Sequence, residues 1–297
     1  MLTVIMPCFN EGSNIKKAVE RTSEVLKKSN ISFELLFVDD GSADETWTEI
    51  KKQIKENKNV TVKGIRFSRN YGKEAAIQAG LKNASGDCMV LMDCDLQHPP
   101  EKIPEMYEKW KEGYEIVEGR KKNRGKESAF HKFAANIFYG LISKATAVDM
   151  AAASDFKLLD QSVVKALGLF KEHCYFFRAL SSSIGFKKTQ VYFEVEERTE
   201  GTSKWNLKSL VRYAINNIAA NTNAPLYLPA FLLAFLSAAI SFLFLLIPGN
   251  RWIAPIFCFI SSIIGLILGI MGYYIGKIFD ETKDRPSYII AEMAGMD

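Results

Sequence analysis

The sequence predicts an α/β protein with a parallel sheet in its first half and two membrane-spanning helices in its last quarter. Three observations lead to this fold class. Short β-rich runs alternate with helical patterns up to about residue 120. Two later stretches, Pro225 to Ile247 and Trp252 to Gly276, contain no charged residue. The chain has 297 residues and is 48% apolar and 24% charged, which is a globular composition and excludes a disordered chain.

The sheet is predicted from apolar runs in the first 120 residues. The candidate strands are LTVIMP, FELLFVDD, VTVKGIRF, CMVLMD and YEIVEG, and helical patterns lie near 13–29, 44–57, 72–83 and 101–112. Because the strands are apolar almost throughout, we expect helices on both faces of the sheet, as in parallel sheets. Ligands of such sheets bind at the carboxyl ends of the strands, so functional residues are sought there.

Each uncharged stretch is long enough to cross a bilayer, because about 20 apolar residues span its hydrocarbon core as a helix. Positive charges lie on the outer flanks of the pair, and the connecting turn holds only Arg251. The flanking residues are Lys204, Lys208, Arg212, Lys277, Lys283 and Arg285. By the positive-inside rule, the large domain and the C-terminal tail are expected to face the cytoplasm.

Two further segments show the 3.6-residue apolar period of amphipathic helices. One runs from Phe130 to Leu141, and the other runs from Leu207 to Ile218 with Lys208 and Arg212 on its opposite face. We expect them at the lipid head groups, with packing against the protein core as the alternative. The predicted domains are 1–205 (soluble α/β domain), 206–223 (juxtamembrane helix), 224–276 (transmembrane hairpin) and 277–297 (cytoplasmic tail). The net charge of +4 predicts no nucleic-acid partner.

Two aspartates, Asp93 and Asp95, directly follow the apolar run CMVLM. Two carboxylates at the open end of a strand repel each other unless a cation joins them. Mg²⁺ and Mn²⁺ prefer carboxylate oxygens, and Mg²⁺ is usually held by one or two carboxylates together with substrate phosphates. The pair therefore predicts a divalent-cation site for a nucleotide diphosphate. The alternative is a solvated loop with paired acids.

Other strand ends supply candidate groups for a nucleotide. Asp40 follows the second strand and is expected to accept hydrogen bonds from a base or ribose. A turn or helix-capping role is the alternative for its neighbours Asp39 and Asp44. The segment from Pro7 to Glu11 predicts a wall for the base and one more acceptor.

Basic residues follow the third strand. Arg69 and Lys73 are expected to contact a phosphate, and a solvated helix start is the alternative. Arg178 is expected to extend towards lipid head groups. The histidines have no metal-ligand spacing and are interpreted as incidental: His98, His131 and His173.

Six motifs follow one another along the chain: PCFNEG, VDDGSADET, SRNYGKEAAIQAGL, MDCDLQHPPE, SDFKLLD and RTEGTSKW. Each motif is weak alone, but their shared order is specific. Together they resemble the family 2 glycosyltransferases of the GT-A fold, and within them the polyprenyl-phosphate glycosyltransferase branch. The resemblance extends from residue 1 to about residue 275 and implies a Rossmann-like mixed sheet followed by two membrane helices.

The resemblance implies a role for each matching residue. Pro7, Phe9, Glu11 and Asp40 would line the nucleotide pocket, and Asp93 and Asp95 would hold Mg²⁺ or Mn²⁺ with Gln97 nearby. Arg120, Arg198 and Lys204 match residues near the acceptor, and Asp155 matches the position assigned to acceptor activation. Ala152 and Ala153 depart from the residues that are usual before that last motif.

The implied activity is that of an inverting hexosyltransferase of the cell (inner) membrane. It would move a sugar from a nucleotide-diphosphate donor, UDP-linked by preference, to a polyprenyl phosphate such as undecaprenyl phosphate, for surface polymer or glycan modification. The second pKa of a phosphate monoester is about 6, so the acceptor is already mostly dianionic, and Asp155 is either a base or an orienting group.

Two alternatives stay open at this point. One is a GDP-mannose-dependent polyprenyl-phosphate mannose synthase. The other, from a different class, is an inactive scaffold that binds sugar nucleotide or lipid and partners a flippase. The resemblance also implies a homo-oligomer, with a tetramer as one form, in contact with membrane lipid.

Overall fold

The computed structural model describes residues 1–121, 154–170, 177–194, 253–283 and 285–296. The chain divides into two compact units, Met1–Trp205 with Pro286–Asp297, and Asn206–Arg285. Several predicted features lie outside the described residues: both amphipathic helices, the first membrane span, Arg198 and Lys204.

The first unit alternates strands and helices as the sequence predicts. Its strands are β1 (Leu2–Cys8), β2 (Phe33–Asp39), β3 (Thr61–Phe67), β4 (Cys88–Leu91), β5 (Ile116–Lys121), β6 (Lys157–Asp160), β7 (Lys188–Phe193) and β8 (Ile290–Ala294). Its helices are α1 (Gly12–Lys28), α2 (Thr46–Glu56), α3 (Lys73–Asn83), α4 (Ile103–Lys111, after a 3₁₀ turn at Pro100–Lys102), α5 (Gln161–Leu167) and α6 (Phe177–Ser183). The predicted strands and helices of the first 120 residues are therefore confirmed.

The described strands form one sheet in the order β7-β5-β6-β4-β1-β2-β3-β8. Strands β1 to β4 run parallel, as apolar composition predicts. Strand β6 runs antiparallel to both β4 and β5, and β8 runs antiparallel to β3. Strands β5 and β7 pair parallel and run in the same direction as β4. The five strands predicted from the sequence are therefore all parallel in direction, and the sheet is mixed because β6 and β8 oppose them.

Both faces of the sheet are covered, because alternate strand residues point to opposite sides. In β1, Leu2, Val4 and Met6 pack on one face with residues of α1, α2 and α4, while Ile5 packs on the other with residues of α3, α5 and α6. A Cβ atom added at Gly80 of α3 would lie 2.3 Å from the Ile5 side chain, so only glycine allows α3 to approach the sheet this closely.

Strand β8 adds residues 290–294 to the sheet, within the segment that the sequence predicts as a C-terminal tail. The Trp47 Nε1–H donates to Glu292 Oε2 at 2.7 Å, and the ring of Tyr288 stacks on Phe67 with centroids 4.9 Å apart. These contacts hold the C-terminal segment against β3.

In the second unit the structure describes helix α7, Ile253–Thr282, which includes nearly all of the second predicted span. Several of its large apolar side chains are exposed: Ile264, Leu266, Leu268, Met271, Ile275, Ile278 and Phe279. A search of the described residues finds no helix that is both long enough and apolar enough to cross a membrane.

Candidate active site

A pocket of about 310 Å³ opens where the carboxyl ends of β1, β2 and β4 meet. The described residues that line it are Pro7, Cys8, Phe9, Glu11, Asp40, Asn70, Gly72, Lys73, Ala76, Asp93, Cys94 and Asp95. The pocket therefore brings together the residues that the sequence assigned to nucleotide or metal binding, apart from Gln97 and Arg69. The Arg69 guanidinium instead lies over the ring of Tyr71, 4.7 Å from its centroid. The backbone N–H of Gln97 donates to Asp95 Oδ1 at 3.1 Å, so Gln97 is adjacent to the pocket.

Asp155 lies at the same edge of the sheet as Asp93, although it precedes a strand and Asp93 follows one. It precedes β6, which runs antiparallel to β4 with Leu91 paired to Lys157. Two residues beyond this pair, Asp93 and Asp155 come together, because the start of an antiparallel strand lies beside the end of its partner. The reversed strand thus brings the predicted acceptor residue to the predicted metal site.

An ionic chain joins these two aspartates. Lys73 Nζ lies 2.6 Å from Asp93 Oδ1 and 2.9 Å from Asp155 Oδ2. On the far side, Arg178 of α6 donates from Nε to Asp155 Oδ1 at 2.6 Å and from Nη2 to Oδ2 at 2.8 Å. The charges therefore alternate along the order Asp93, Lys73, Asp155 and Arg178. Asp155, which lies between the two cations, is only 7% exposed. Arg178, expected at lipid head groups, contacts Asp155 instead.

Within the ionic chain, the neighbouring charges determine the protonation of Asp155 and Lys73. Burial alone would raise the pKa of Asp155, but Lys73 and Arg178 overcome that effect and hold the pKa far below its usual value. Loss of hydration disfavours the charged form of Lys73, yet Asp93 and Asp155 raise its pKa well above the usual value. Asp155 is thus an ionised carboxylate engaged by two cations, which makes it a poor proton acceptor.

Glu74, next to Lys73, attaches α6 to α3. Its Oε2 atom accepts a hydrogen bond from the Phe177 N–H at 3.0 Å. Burial, with a further contribution from the nearby Asp155 charge, raises the pKa of Glu74 to about 7. The first turn of α6 is therefore held by Glu74 and Asp155 together.

His98 positions Asp93, the first aspartate of the predicted metal site, and is not incidental. Its Nδ1 atom accepts a hydrogen bond from the backbone N–H of Asp93 at 3.3 Å. The buried ring stacks on Phe156 with centroids 5.1 Å apart and meets Phe193 edge-on. Burial lowers the pKa of His98, which favours the neutral ring that can accept this bond. Because Phe156 follows Asp155, the stack connects both aspartates.

Asp40 lines the pocket, and its carboxylate holds the loop before α3. Oδ1 accepts from the Tyr71 N–H at 2.6 Å and Oδ2 from the Gly72 N–H at 2.9 Å. Burial raises its pKa to about 6 despite these hydrogen bonds. A Cβ atom at Gly41, where φ is +67°, would lie 2.4 Å from the backbone of Arg69, so the turn after Asp40 requires glycine. Asp40 thereby sets the position of Lys73.

Arg120, at the end of β5, belongs to a second buried ionic group. Its Nη2 atom lies 3.5 Å from Glu118 Oε2, while Lys157 Nζ lies 2.8 Å from Glu118 Oε1. Lys157 is fully buried and also donates to Ser181 Oγ of α6 at 2.8 Å. This group fixes Arg120 and α6 at the same sheet edge as Asp155.

The residues present fit a divalent cation that arrives with a diphosphate. Asp93 and Asp95 supply two carboxylates on the pocket wall, and the Asp93 carboxylate already attracts a cationic group, the Lys73 ammonium. Among the described residues, no group of three or more His, Cys, Asp or Glu side chains could hold a metal. Two carboxylates completed by phosphate oxygens form the usual environment of Mg²⁺ at nucleotides.

Residues 3–167, more than half of the chain, match the family described as Glycosyl transferase family 2. The chain belongs to this family. Among solved structures, it is similar to glucosyl-3-phosphoglycerate synthase from Mycobacterium tuberculosis, crystallised with Mn²⁺, uridine diphosphate and phosphoglyceric acid. The TM-score is 0.54 at 18% identity, covering 74% of this chain and 76% of that one. A likeness at this identity shows the fold alone, which is the mixed α/β GT-A fold.

Similar sequences within family 2 cover nearly the whole chain. The uncharacterized glycosyltransferase YkcC of Bacillus subtilis is 36% identical, over 99% of this chain and 94% of the relative. An undecaprenyl-phosphate 4-deoxy-4-formamido-L-arabinose transferase of Photorhabdus laumondii is 30% identical, over 99% and 94%. The family and the mixed α/β GT-A fold of the predicted resemblance are confirmed, while the branch and the two membrane helices stay predictions.

Three contributors to this family 2 site are not evident from the sequence. Glu74 and His98 act through backbone N–H groups, and Arg178 joins the ionic chain through Asp155, a residue 23 positions earlier in the sequence. His98 lies in the motif MDCDLQHPPE with Asp93, and Glu74 lies in SRNYGKEAAIQAGL next to Lys73. This closeness in sequence is the signal that could have indicated their roles in the site. Nothing in the local sequence of Arg178 points to Asp155.

Proposed function

We propose that this family 2 chain is a metal-dependent, inverting hexosyltransferase that transfers a sugar from a UDP-linked donor to a polyprenyl phosphate. The observation that carries the proposal is the convergence of Asp93, Asp95, Lys73, Asp155 and Arg178 at one sheet edge. Carboxylates for a cation lie beside cations for an anion, and such a site suits two phosphate-bearing substrates.

The donor half of the site is the pocket itself. Pro7 and Phe9 provide an apolar wall for the base, and Glu11 an acceptor on the same side. Asp93 and Asp95 would hold Mg²⁺ or Mn²⁺ on the diphosphate. When bound, the ion would neutralise the charge that develops on the leaving nucleotide diphosphate.

The acceptor half is supported by the printed function of relatives such as the Photorhabdus transferase, which acts on undecaprenyl phosphate. Arg120 and Arg178 at the sheet edge, with Arg198 and Lys204 beyond the described residues, would screen an incoming phosphate. The acceptor is mostly dianionic at neutral pH because its second pKa is about 6, so it needs no strong base. Asp155 therefore orients Lys73 and Arg178, and preorganised charge of this kind is commonly the largest catalytic contribution.

A membrane location follows from the acceptor, because a polyprenyl chain stays in the bilayer. The two uncharged stretches, the flanking positive charges and the exposed apolar side chains of α7 support it. In this proposal residues 1–205 and the C-terminal end lie in the cytoplasm, and a flippase or a second copy of the chain could bind at the membrane.

The test is transfer by the purified full-length chain. Undecaprenyl phosphate, Mg²⁺ or Mn²⁺ and a panel of labelled sugar nucleotides, including UDP-glucose and GDP-mannose, are incubated with the protein, and labelled lipid is separated by chromatography. We expect one UDP-hexose to be used. Preference for GDP-mannose would favour the mannose synthase alternative, and tight donor binding without transfer would favour the scaffold.

The matched variants are Asp95→Asn in the pocket and Asp87→Asn on the surface. Asp87 is 70% exposed at its side chain and pairs only with the N-terminal ammonium group among the contacts described for it. Asp95→Asn should reduce transfer about 100-fold, because even residues that only orient metal ligands contribute about 10–100-fold, whereas Asp87→Asn should retain it. Full transfer by Asp95→Asn would contradict the metal assignment.

A further inference from the structure

The ammonium group of Lys73 is paired with Asp93, one of the two carboxylates that a divalent cation would need. Its ammonium nitrogen lies 2.6 Å from Asp93 Oδ1, a charge-assisted hydrogen-bond distance. A dication on Asp93 and this ammonium group would repel each other at such a separation. The two cations therefore compete for the same carboxylate.

The ionic chain allows Lys73 to leave without exposing an unpaired charge. Asp155 keeps both hydrogen bonds from Arg178 when Lys73 departs, and Asp93 exchanges the ammonium group for the incoming ion. The buried carboxylate of Asp155 and the partly exposed carboxylate of Asp93 thus each retain a cation, which avoids the large penalty of an isolated charge at Asp155.

Lys73 is also placed to move. It is the first residue of α3, its side chain is 41% exposed, and its four-carbon stem is flexible. The Asp40 hydrogen bonds hold the backbone of residues 71 and 72, so the movement is confined to the side chain. The displaced ammonium group then faces the pocket that it lines.

We propose that Lys73 is an internal cation that occupies Asp93 until the donor's divalent ion displaces it, and that the displaced ammonium group then binds a phosphate oxygen of the second substrate. The inference rests on the proposed function. It makes binding ordered, because Lys73 becomes available to the polyprenyl phosphate only after the donor and its ion have entered. Lys73 in this way couples the binding of the two substrates.

The direct test is Mn²⁺ binding to the full-length protein without nucleotide, followed by electron paramagnetic resonance. Removing the internal competitor in Lys73→Met should tighten Mn²⁺ binding about tenfold, the factor expected for loss of one charge-assisted hydrogen bond. Lys73→Arg, which keeps the charge, should bind Mn²⁺ like the wild type.

The matched control is Lys121→Met. Lys121 ends β5 and is close enough to Asp93 and Asp95 for their charges to act on it, so it reports the effect of one nearby positive charge. Its removal should change Mn²⁺ affinity about twofold at most, because a through-space effect at an exposed pocket is largely screened. Equal tightening in Lys121→Met and Lys73→Met would overturn the competition.

A second arm measures coupling. At saturating donor, Lys73→Met should raise the KM for undecaprenyl phosphate about tenfold, and should remove the dependence of acceptor binding on prior donor binding. Unchanged or weaker Mn²⁺ binding in Lys73→Met would refute the inference while leaving the proposed function intact. Failure of the wild type to bind Mn²⁺ even with UDP present would overturn the inference together with the metal assignment.

Discussion

Replacing Asp155 by asparagine tests whether this residue orients cations or accepts a proton. The substitution keeps the side-chain volume and removes the charge that three hydrogen bonds use, one from Lys73 and two from Arg178. Removing one partner of a buried ion pair costs about 3–5 kcal/mol, because the remaining charge is left uncompensated. Arg178 and Lys73 are partly exposed and Lys73 keeps Asp93, so we expect the lower end, about 3 kcal/mol.

The cost should appear in both stability and transfer. At about 1.4 kcal/mol per factor of ten, the loss of cation placement predicts a fall of about 100-fold in kcat/KM for polyprenyl phosphate. The stability loss depends on pH in a defined direction. The folded pKa of Asp155 lies below its ordinary value of 3.8, so its stabilisation is fully present above that value and declines as pH falls through the folded pKa.

The assays are urea unfolding at pH 7 and at pH 3.5, and transfer rates from pH 5 to 9. We expect a destabilisation of about 3 kcal/mol at pH 7 that shrinks at pH 3.5, and wild-type rates that follow the acceptor phosphate ionisation near pH 6. Asp87→Asn is the surface control. A wild-type rate profile whose acid limb disappears in Asp155→Asn would show instead that Asp155 accepts the proton.

Three further substitutions probe the groups around the ionic chain. Glu74→Gln should stabilise the protein by about 1–3 kcal/mol in urea unfolding at pH 8, because it removes a buried carboxyl group whose ionisation is costly, as its raised pKa indicates. The gain should vanish below about pH 4.5, where Glu74 is protonated in both the folded and the unfolded protein. Lys157→Met should lower the free energy of unfolding by about 3–5 kcal/mol, because Glu118 stays buried without its partner at 2.8 Å. The double variant with Glu118→Gln should recover part of this stability, and no recovery would show that the loss comes from packing instead. His98→Phe keeps the stack on Phe156 but removes the acceptor for the Asp93 N–H. Calorimetry with Mn²⁺ and UDP should therefore show an affinity for UDP about tenfold weaker than that of the wild type. Unchanged affinity would refute the positioning role of His98.

The buried charges of this site have a common physical basis. Asp155, Lys157 and Glu118 are almost fully buried, and each lies within 3 Å of an opposite charge. Pairs of this kind contribute little net stability compared with apolar packing. They do fix where charge is held, and the proposed binding of two anionic substrates and a cation would need that placement.

The central architecture and most of the proposed donor pocket can be predicted from local sequence patterns. Apolar runs such as FELLFVDD become buried parallel strands because their composition suits a sheet covered on both sides, and residues that follow such strands must meet at one edge. Asp40, Asp93 and Asp95 were found in this way, since strand ends are readable from local pattern alone.

The tertiary structure alone decided which charges meet. Strands β6, β7 and β8 are short or bear polar residues and carry weak local signals, and the antiparallel direction of β6 is set by the sheet into which it fits. That direction brings Asp155 close to Asp93, where Lys73 pairs with both, and α6 brings Arg178 to Asp155. A contact between residues more than eighty positions apart depends on strand order and register, and no local period of the sequence encodes either.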